Sequence, residues 1–209
     1  MDFDREHEQL VRRLETQREL SDPTLDAMRA VPRHEFVPES KRSGAYDDSP
    51  LPIGEGQTIS APHMVAIMVE LLELRAGDEV LEIGTGCGYH AAVTAALVGA
   101  ENVYSVEYHD SLAERARETL DRTGYGEISV RSGDGREGWP AHAPYDRAYL
   151  TCAADTFPQP LREQVRTEGV LLGPLRSGGR GQKLVRGSVR ADGTLDRETH
   201  GRVRFVPLR

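Results

Sequence analysis

The chain has 209 residues, enough to bury a full hydrophobic core and within the usual range of one domain. Its 34 acidic and 26 basic residues give a net charge of −8, and no arginine or lysine run is long enough to neutralise a phosphate backbone, which excludes nucleic acid as a partner. No segment approaches the ~18 apolar residues that cross a bilayer. Two cysteines are too few for a disulfide framework. We therefore expect a soluble, cytoplasmic protein that is not anchored in a membrane.

The N-terminal third predicts helices followed by a loop. Apolar residues at helical spacing predict a helix over Phe3–Leu20. A second helix is expected to run through Met28, opened by Ser21 as a capping residue and by Pro23 in its first turn. Prolines and glycines are frequent between Pro32 and Gln57, which predicts an ordered loop crossing a site.

The middle of the chain alternates strand-like and helix-like patterns. The helix that begins at Pro62 is expected to end near Gly77 and to bury a stripe made of Met64, Ile67, Met68, Leu71 and Leu72. Five strands are predicted at Val80–Ile83, Asn102–Glu107, Ile128–Arg131, Tyr145–Thr151 and Gly169–Gly173. Helices between them are predicted at Ala91–Val98, from Ser111 with Glu114 as a capping box, and at Pro160–Arg166. Strands that alternate with helices predict a parallel, doubly wound sheet.

The C-terminal pattern changes to a hairpin, with Gln182–Arg190 and Thr199–Val206 flanking an Ala191–Thr194 turn. The sequence thus predicts one α/β domain over residues 1–209: an N-terminal helical lobe and loop (1–60), a Rossmann-like core (78–175) and antiparallel edge strands (180–208).

A glycine loop follows the first predicted strand and precedes a helix, the position where open α/β sheets bind ligands. It contains Gly84, Thr85, Gly86 and Gly88. A dinucleotide fingerprint would need its third glycine at position 89, where this chain has Tyr89. The spacing is instead typical of enzymes that bind S-adenosylmethionine, a cofactor without phosphate that gains little from a phosphate-binding helix N-terminus.

Acidic residues end three successive strands. Glu82 is expected to face the cationic methionyl part of the cofactor, and Glu107 to accept both ribose hydroxyl hydrogens. Asp134, between Gly133 and Gly135, is a candidate partner for the adenine amino group. Tyr108 is assigned to the same site. The alternative is a set of loop glycines and solvated acids, but three acids at three strand ends favour the cofactor site.

The remaining reactive residue types indicate no further chemistry. Cys87 and Cys152 have no activating partner in the sequence and are interpreted as packing residues. The seven histidines lack metal-ligand spacing, so no metal is expected.

The segment Gly54–Met64, which reads GEGQTISAPHM, resembles the signature of the protein-L-isoaspartate O-methyltransferase family. Similar stretches are Val31–Pro38, Tyr46–Gly54, Val80–Tyr89, Gly133–Gly135, Ala143–Asp146 and Phe205–Leu208. The resemblance covers nearly the whole chain. It implies a class I methyltransferase fold, S-adenosylmethionine as cofactor, isoaspartyl proteins and peptides as substrates, and a monomer working without metal.

The resemblance also implies roles for individual residues. Thr58, Ile59 and Ser60 would line the methyl-transfer site, with Ser60 as the named active-site residue, and Gln182 would lie near it. From the residues alone Ser60 is first a helix cap before Pro62, which would let it present its hydroxyl and nearby backbone N–H groups to a carboxylate. His63 either contacts substrate or covers the first helical turn.

Departures from the family pattern affect the cofactor rim and the far edge of the site. They are Cys87, Thr151–Ala154, Glu168–Gly169 and Pro174–Arg176. None removes a residue that the chemistry needs. Two other functions remain open: a related methyltransferase that acts on normal aspartates of one dedicated peptide, and a binding module without activity.

Overall fold

A computed structural model describes residues 2–179 and 181–209 of the chain. Within these residues there are six α-helices and nine β-strands. The helices are α1 (Phe3–Gln17), α2 (Asp22–Ala30), α3 (Pro62–Leu72), α4 (Tyr89–Val98), α5 (Asp110–Arg122) and α6 (Gln159–Glu163). The strands are β1 (Leu51–Gly54), β2 (Gln57–Ile59), β3 (Val80–Ile83), β4 (Val103–Glu107), β5 (Ser129–Ser132), β6 (Tyr145–Leu150), β7 (Val165–Arg176), β8 (Gln182–Val189) and β9 (Leu195–Val203).

The main sheet of the described residues has the strand order β5-β4-β3-β6-β7-β8-β9. The first five strands in this order are parallel, and β8 and β9 are antiparallel. Ile83, the last residue of β3, lies opposite Val106 and Leu150, so three parallel strands end at one level. This arrangement confirms the predicted fold class, including the antiparallel edge hairpin.

Alternate residues of the central strands face two hydrophobic clusters, because successive side chains of a strand point to opposite faces. Val80 belongs to the cluster covered by α1 to α5, whereas Leu81 and Ile83 belong to the cluster covered by α6. Leu10 of α1 shares the first cluster with Val80, so the N-terminal helices pack on the same core as the sheet. The single-domain organisation stays a prediction.

The loop predicted over Pro32–Gln57 contains structure that proline and glycine frequency did not reveal. Two short 3-10 helices span Arg33–Phe36 and Glu39–Gly44, and β1 pairs with β2 in a separate two-stranded sheet. Glu55 and Gly56 take positive φ angles of 52° and 69° at the turn. The hairpin places Thr58 at the edge of the candidate site.

Two helices end earlier than their patterns predict. α1 ends at Gln17 rather than Leu20, because Arg18 has extended backbone angles. α3 ends at Leu72 rather than near Gly77, because Glu73 takes a left-handed conformation with φ 50°. Of the predicted α3 stripe, Met68 and Leu72 are fully buried, whereas Met64, Ile67 and Leu71 are only partly buried.

Three predicted helix caps do not form, and in two of them the side chain binds another element instead. Ser21 donates a hydrogen bond to Glu70 (2.8 Å) and makes no capping bond to α2. Ser111 donates to Glu55 (2.8 Å), so the predicted capping box with Glu114 is absent from α5. The N-cap of α3 is Ala61, not Ser60.

Boundaries near the C-terminal edge also differ from the prediction. α6 ends at Glu163, and Val165, which was predicted to be helical, begins β7. The hairpin turn lies where it was predicted: Arg190 donates its backbone N–H to Thr194 (2.9 Å). β9 begins at Leu195, earlier than the predicted Thr199, because pairing with β8 continues up to the turn.

Candidate active site

A cleft of about 540 Å³ opens at the carboxyl ends of β3, β4 and β6, and we call it the main cleft. This edge is where doubly wound sheets bind ligands. It is lined by Gln57, Thr58, Ile83, Gly84, Gly86, Val106, Glu107, Tyr108, His109, Gly135, Thr151, Cys152, Val206, Pro207, Leu208 and Arg209. The structure therefore brings together six of the fourteen predicted site residues here.

The glycine loop brings bare backbone to the floor of the main cleft. Gly84 has φ 100°, and a Cβ there would overlap the Thr151 hydroxyl group. That hydroxyl donates to the Gly84 carbonyl (2.6 Å) and fixes the loop against the end of β6. Gly86 has φ 58° and also lines the cleft. Only glycine combines these backbone angles with the close approach.

Two predicted residues of the loop lie away from the main cleft. Gly88, with φ 87°, begins α4, and a Cβ there would touch Leu120 of α5. Its predicted role in cofactor binding stays a prediction, while the structure gives it a packing role. Thr85 is buried and its hydroxyl lies 2.5 Å from that of Ser105.

Glu107 stands at the end of β4, as predicted, and lines the main cleft. Its carboxylate accepts hydrogen bonds from the backbone N–H groups of Gly86 (2.8 Å) and His109 (3.0 Å). These bonds hold the carboxylate and the glycine loop together, and each oxygen keeps a further lone pair for a ligand. Tyr108 lines the same cleft and is 53% exposed, which makes it an exposed aromatic face at the rim.

Glu82 does not face the cleft, so its predicted direct contact with a cationic ligand part is not supported by its position. It is fully buried, and it accepts hydrogen bonds from Ser105 (2.5 Å) and Tyr149 (2.9 Å). Burial raises the pKa of Glu82 to about 8, because the charged form is desolvated. The Tyr149 hydroxyl in turn lies 3.0 Å from that of Thr94. The result is a buried polar network beneath the glycine loop.

Of the Gly133–Gly135 turn, only Gly135 lines the main cleft. A Cβ at Gly135 would overlap Ile83, so the turn packs closely against the end of β3. Asp134 caps this turn by accepting the backbone N–H of Arg136 (2.9 Å), and it forms an ion pair with the same residue. The hydrogen bond from the Arg136 side chain, together with its backbone N–H and its charge, lowers the pKa of Asp134. Its predicted contact with adenine stays a prediction.

The residues Thr58, Ile59 and Ser60 follow one another at the end of β2, and each lines a cavity beside the glycine loop. This inner pocket has a volume of about 300 Å³ and also contains Gly84, Gly86 and Thr151. Thr58 lines the main cleft as well. The structure therefore places the predicted methyl-transfer residues next to the predicted cofactor loop.

Ser60 is not the helix cap that the sequence suggested. The backbone N–H of His63, in the first turn of α3, is bound by Asp48 (2.9 Å), and that of Met64 by the Ala61 carbonyl (3.0 Å). The backbone N–H groups of His63 and Met64 are thus already bonded within the protein, and a contribution of other N–H groups near Ser60 to carboxylate binding stays a prediction. The Ser60 hydroxyl makes none of the hydrogen bonds found among the described residues, so it is free to bind a ligand.

A second cavity, of about 720 Å³, lies on the outer side of Ser60, and we call it the outer groove. It is lined by Pro50, Thr58, Ser60, Ala61, His63, Met64, Thr151, Arg202, Val203, Arg204, Phe205 and Val206. Asp48 accepts hydrogen bonds from both the backbone and the Nδ1 of His63, which fixes the imidazole at the groove wall. His63 thus lies both in the first turn of α3 and at the groove wall, and its contact with a ligand stays a prediction.

Gln182 lines neither cavity, but it holds the segment that does. Its side-chain amide donates to the Phe205 carbonyl (3.0 Å) and accepts the Phe205 backbone N–H (2.6 Å). The segment is also paired with the end of β6, because Ala153 donates to Val206 (2.7 Å) and accepts from Leu208 (2.9 Å). Residues 206–209 form one wall of the main cleft. Sequence reasoning gave this segment no role; its only signal was the family resemblance of Phe205–Leu208.

Neither cysteine has the environment of a reactive thiol. Burial raises the pKa of Cys87 to about 11 and that of Cys152 to about 12. Both are free, and Cys152 lines the main cleft as a small apolar group. Within residues 2–179 and 181–209, no group of three His, Cys, Asp or Glu side chains is arranged to hold a metal ion. None of the helices described is long and apolar enough to cross a membrane.

The parallel sheet with its antiparallel edge, the glycine loop at the end of β3 and the acid at the end of β4 define a class I S-adenosylmethionine-dependent methyltransferase. The family model described as Protein-L-isoaspartate(D-aspartate) O-methyltransferase (PCMT) matches residues 5–209. The chain belongs to this family.

Individual relatives agree with the family model. The chain is 52% identical to protein-L-isoaspartate O-methyltransferase 2 of Archaeoglobus fulgidus, over 100% of this chain and 95% of that protein. It is 50% identical to the protein-L-isoaspartate O-methyltransferase of Methanopyrus kandleri, over 99% and 92%.

Among solved structures, a protein-L-isoaspartate O-methyltransferase superposes with a TM-score of 0.89 at 31% identity, covering 96% of this chain and 65% of that one. A putative one from Plasmodium falciparum, solved in complex with S-adenosyl-L-homocysteine, gives 0.83 at 22% identity, covering 97% and 98%, which supports the fold.

Proposed function

We propose that this chain transfers a methyl group from S-adenosylmethionine to the α-carboxylate of L-isoaspartyl residues in damaged proteins and peptides. One observation carries the proposal: Thr58, Thr151 and Val206 line both the main cleft and the outer groove. These three residues form a wall that the two cavities share, so a ligand in the cleft and a ligand in the groove would both contact it. Ser60, with its free hydroxyl, lies beside that wall.

The main cleft fits the cofactor in charge and shape. The bare backbone of Gly84 and Gly86 lines the cleft, and a Cβ at Gly84 would displace Thr151, which lines the same cleft. Glu107 has the acceptor capacity for two ribose hydroxyls, and the exposed ring of Tyr108 offers a face on which adenine would stack. When bound, S-adenosylmethionine supplies an electrophilic methyl group on its sulfonium.

The outer groove would bind the α-carboxylate of the substrate. An α-carboxyl group with a pKa of ~3.5 is ionised at neutral pH, so no general base is needed. The hydroxyls of Ser60 and Thr58 would donate hydrogen bonds that orient one carboxylate oxygen toward the cleft that would hold the methyl donor. Positioning is thus the main contribution of the protein to the rate.

Repair follows from the chemistry of the product. The methyl ester has a better leaving group than the free carboxylate, so the neighbouring backbone nitrogen attacks the ester carbonyl and methanol leaves. The resulting succinimide takes up water and opens partly to normal aspartate. Repeated cycles convert the remaining isoaspartate.

Two peptides that differ only in an aspartyl or isoaspartyl linkage test the substrate. We expect radiolabel from the methyl donor to appear on the isoaspartyl peptide alone. Labelling of both peptides would point to a methyltransferase of normal aspartates, and labelling of neither would leave a binding module; either result would refute the proposal.

Two substitutions test the division of roles between the cavities. A hydrogen bond to a charged group contributes about 1.5–3 kcal/mol, so Ser60→Ala should lower kcat by about 10- to 100-fold while S-adenosylhomocysteine affinity stays within about twofold. Glu107→Ala should weaken that affinity by about tenfold or more. Ser129→Ala in β5, which lines neither cavity, is the control. Equal effects of both variants on kcat and affinity contradict the assignment, provided that circular dichroism shows both to be folded.

We further propose that the protein works as a monomer in the cytoplasm. Its two cysteines are unpaired, as expected in a reducing compartment, and the monomer is what the family resemblance implies. Sedimentation at micromolar concentration should give a single species of 23.1 kDa.

A further inference from the structure

Three basic side chains form a strip at the end of the edge hairpin nearest the outer groove. Lys183 of β8 lies directly opposite Arg202 of β9, and Arg204 follows two residues later. All three are exposed. We call Lys183, Arg202 and Arg204 the basic strip.

The rest of the same hairpin is arranged differently. Arg186 lies opposite Glu198, and Arg190 forms an ion pair with Asp196 (2.9 Å). Away from the groove, the cross-strand charges are therefore of opposite sign, which stabilises a sheet, whereas like charges directly opposite one another destabilise it.

The basic strip has no such compensation. Among the described residues, none of its three side chains forms an ion pair, although the chain has 34 acidic residues against 26 basic ones. The cross-strand pairing of Lys183 with Arg202 therefore destabilises the folded state. A lack of acidic residues in the chain does not explain it. A negatively charged ligand would remove this repulsion.

The position of the strip indicates which ligand this is. Arg202 and Arg204 line the outer groove together with Ser60. The backbone between and beyond them is fixed, because Val203 pairs with Gln182 and Phe205 is hydrogen-bonded to the side chain of Gln182. No acidic residue lines this groove among the described residues, and Asp48, which contacts the groove-lining His63, is already paired with it (2.8 Å).

We propose that the basic strip selects isoaspartyl sites flanked by acidic residues, by binding the neighbouring carboxylates while Ser60 holds the reacting one. This inference rests on the proposed function and adds a substrate class to it. Because the strip is exposed, its contribution falls with ionic strength and acts on binding rather than on the transfer step.

Peptides with one isoaspartyl residue flanked by glutamates, serines or lysines test the selection. Exposed ion pairs are worth about 0.2–1 kcal/mol each, so several together should favour the glutamate peptide over the lysine peptide by about tenfold in kcat/KM at low salt. The difference should lie in KM, with kcat within about twofold, and should shrink at 0.5 M salt by roughly the amount that screening predicts.

Charge reversal then tests the residues. The double variant Arg202→Glu, Arg204→Glu should reverse the preference, whereas Arg197→Glu on the same strand, outside the groove, should leave it unchanged. Lys183→Glu should place an opposite charge beside Arg202; we expect a slightly higher Tm together with a two- to threefold weaker preference. This variant keeps the inference testable if the double variant does not fold.

Binding of fluorescently labelled peptides to the protein loaded with S-adenosylhomocysteine separates this inference from the proposed function. If no isoaspartyl peptide is methylated, the proposed function fails, and the anisotropy titration still reports whether the glutamate peptide binds through the strip. Equal affinity of the wild type for the glutamate and lysine peptides overturns the inference even when both are methylated. An unchanged preference in the charge-reversed variants overturns it as well.

Discussion

The two sides of the site are built by different means. On the cofactor side, the glycine loop rests on buried polar groups: Glu82 and Thr85 are bonded to Ser105, and Glu107 binds the loop backbone. On the substrate side, Ser60 and the basic strip keep their polar groups free of other elements of the described chain. The polar groups of the cofactor side therefore have their partners in the folded protein, whereas those of the substrate side gain partners when a ligand binds.

This difference predicts which substitutions lower the free energy of unfolding and which act mainly on activity. Polar groups buried in a network rigidify a site only when each of them has a partner, and breaking one bond leaves others unsatisfied. Exposed groups cost little to leave unpaired, because water solvates them. Substitutions on the cofactor side should therefore affect folding and cofactor binding together, and those on the substrate side should act mainly on turnover or selectivity.

The largest effect is expected for Gly84→Ala. The left-handed backbone costs a residue with a Cβ about 1–2 kcal/mol, and overlap with the Thr151 hydroxyl adds about 1–3 kcal/mol. Scanning calorimetry should show a Tm lower by about 5–15 °C, and calorimetric titration a loss of S-adenosylhomocysteine affinity of at least about tenfold.

Gly77→Ala is the matched control for this substitution. Gly77 also has a positive φ, 84°, but a Cβ there would meet no atom within 4 Å. It should show the backbone cost alone, with unchanged cofactor affinity. If Gly84→Ala is no worse than Gly77→Ala, the close packing of the loop is not what the site needs.

A smaller effect is expected from the titration of Glu82. Its pKa is about 8 in the folded protein and 4.5 in the unfolded chain, so between these values the folded state keeps a proton that the unfolded state has lost. This contribution to the free energy of unfolding is complete below pH 4.5 and is lost as pH rises through 8.

Glu82→Gln removes the titration and keeps the shape. The Tm of the wild type minus that of the variant should therefore fall from pH 5 to pH 9, by about 5 °C or more, since roughly 2 kcal/mol shifts Tm by that amount in a chain of this size. A difference in Tm that does not change with pH would show that Glu82 is ionised in the folded protein.

The smallest effect is expected for Gln182→Ala, which removes two hydrogen bonds to Phe205 without touching either ligand. Each bond contributes about 0.5–1.5 kcal/mol, so KM for the peptide should rise about three- to tenfold, and Tm should fall by a few degrees. Hydrogen exchange at the Phe205 amide should become faster. Gln182→Met fills the same space without hydrogen bonds; if it behaves like the wild type, packing rather than hydrogen bonding holds the segment.

The sequence predicts the parallel core well, because its signals are local. Strand patterns such as Val80–Ile83 and the glycines of the loop depend on periodicity and on backbone angles that few other residues adopt. The position of Glu107 follows from the same logic, since parallel strands end at one edge. Family resemblance was needed for Ser60, whose local pattern indicates only a cap.

The incorrect predictions share a physical cause, which is that the hydrogen bonds formed at these positions join residues distant in sequence. Ser60 is displaced as a cap by the remote Asp48, and Ser111 binds Glu55 across the rim. Glu82 looks like a strand-end acid in the sequence, but the alternation of β3 turns it inward, toward Tyr149. No pattern in a single sequence reports such long-range pairs.

The segment 206–209, which closes the main cleft against Ala153, also sets the order in which the site can be assembled. Synthesis runs from the N-terminus, so the glycine loop and Glu107 leave the ribosome long before this wall does. A nascent chain can form the sheet and the inner network and still have an open cleft that holds its cofactor poorly. Methyl transfer would thus begin only after the edge hairpin has closed, so that a half-made enzyme has little means of acting on neighbouring nascent proteins.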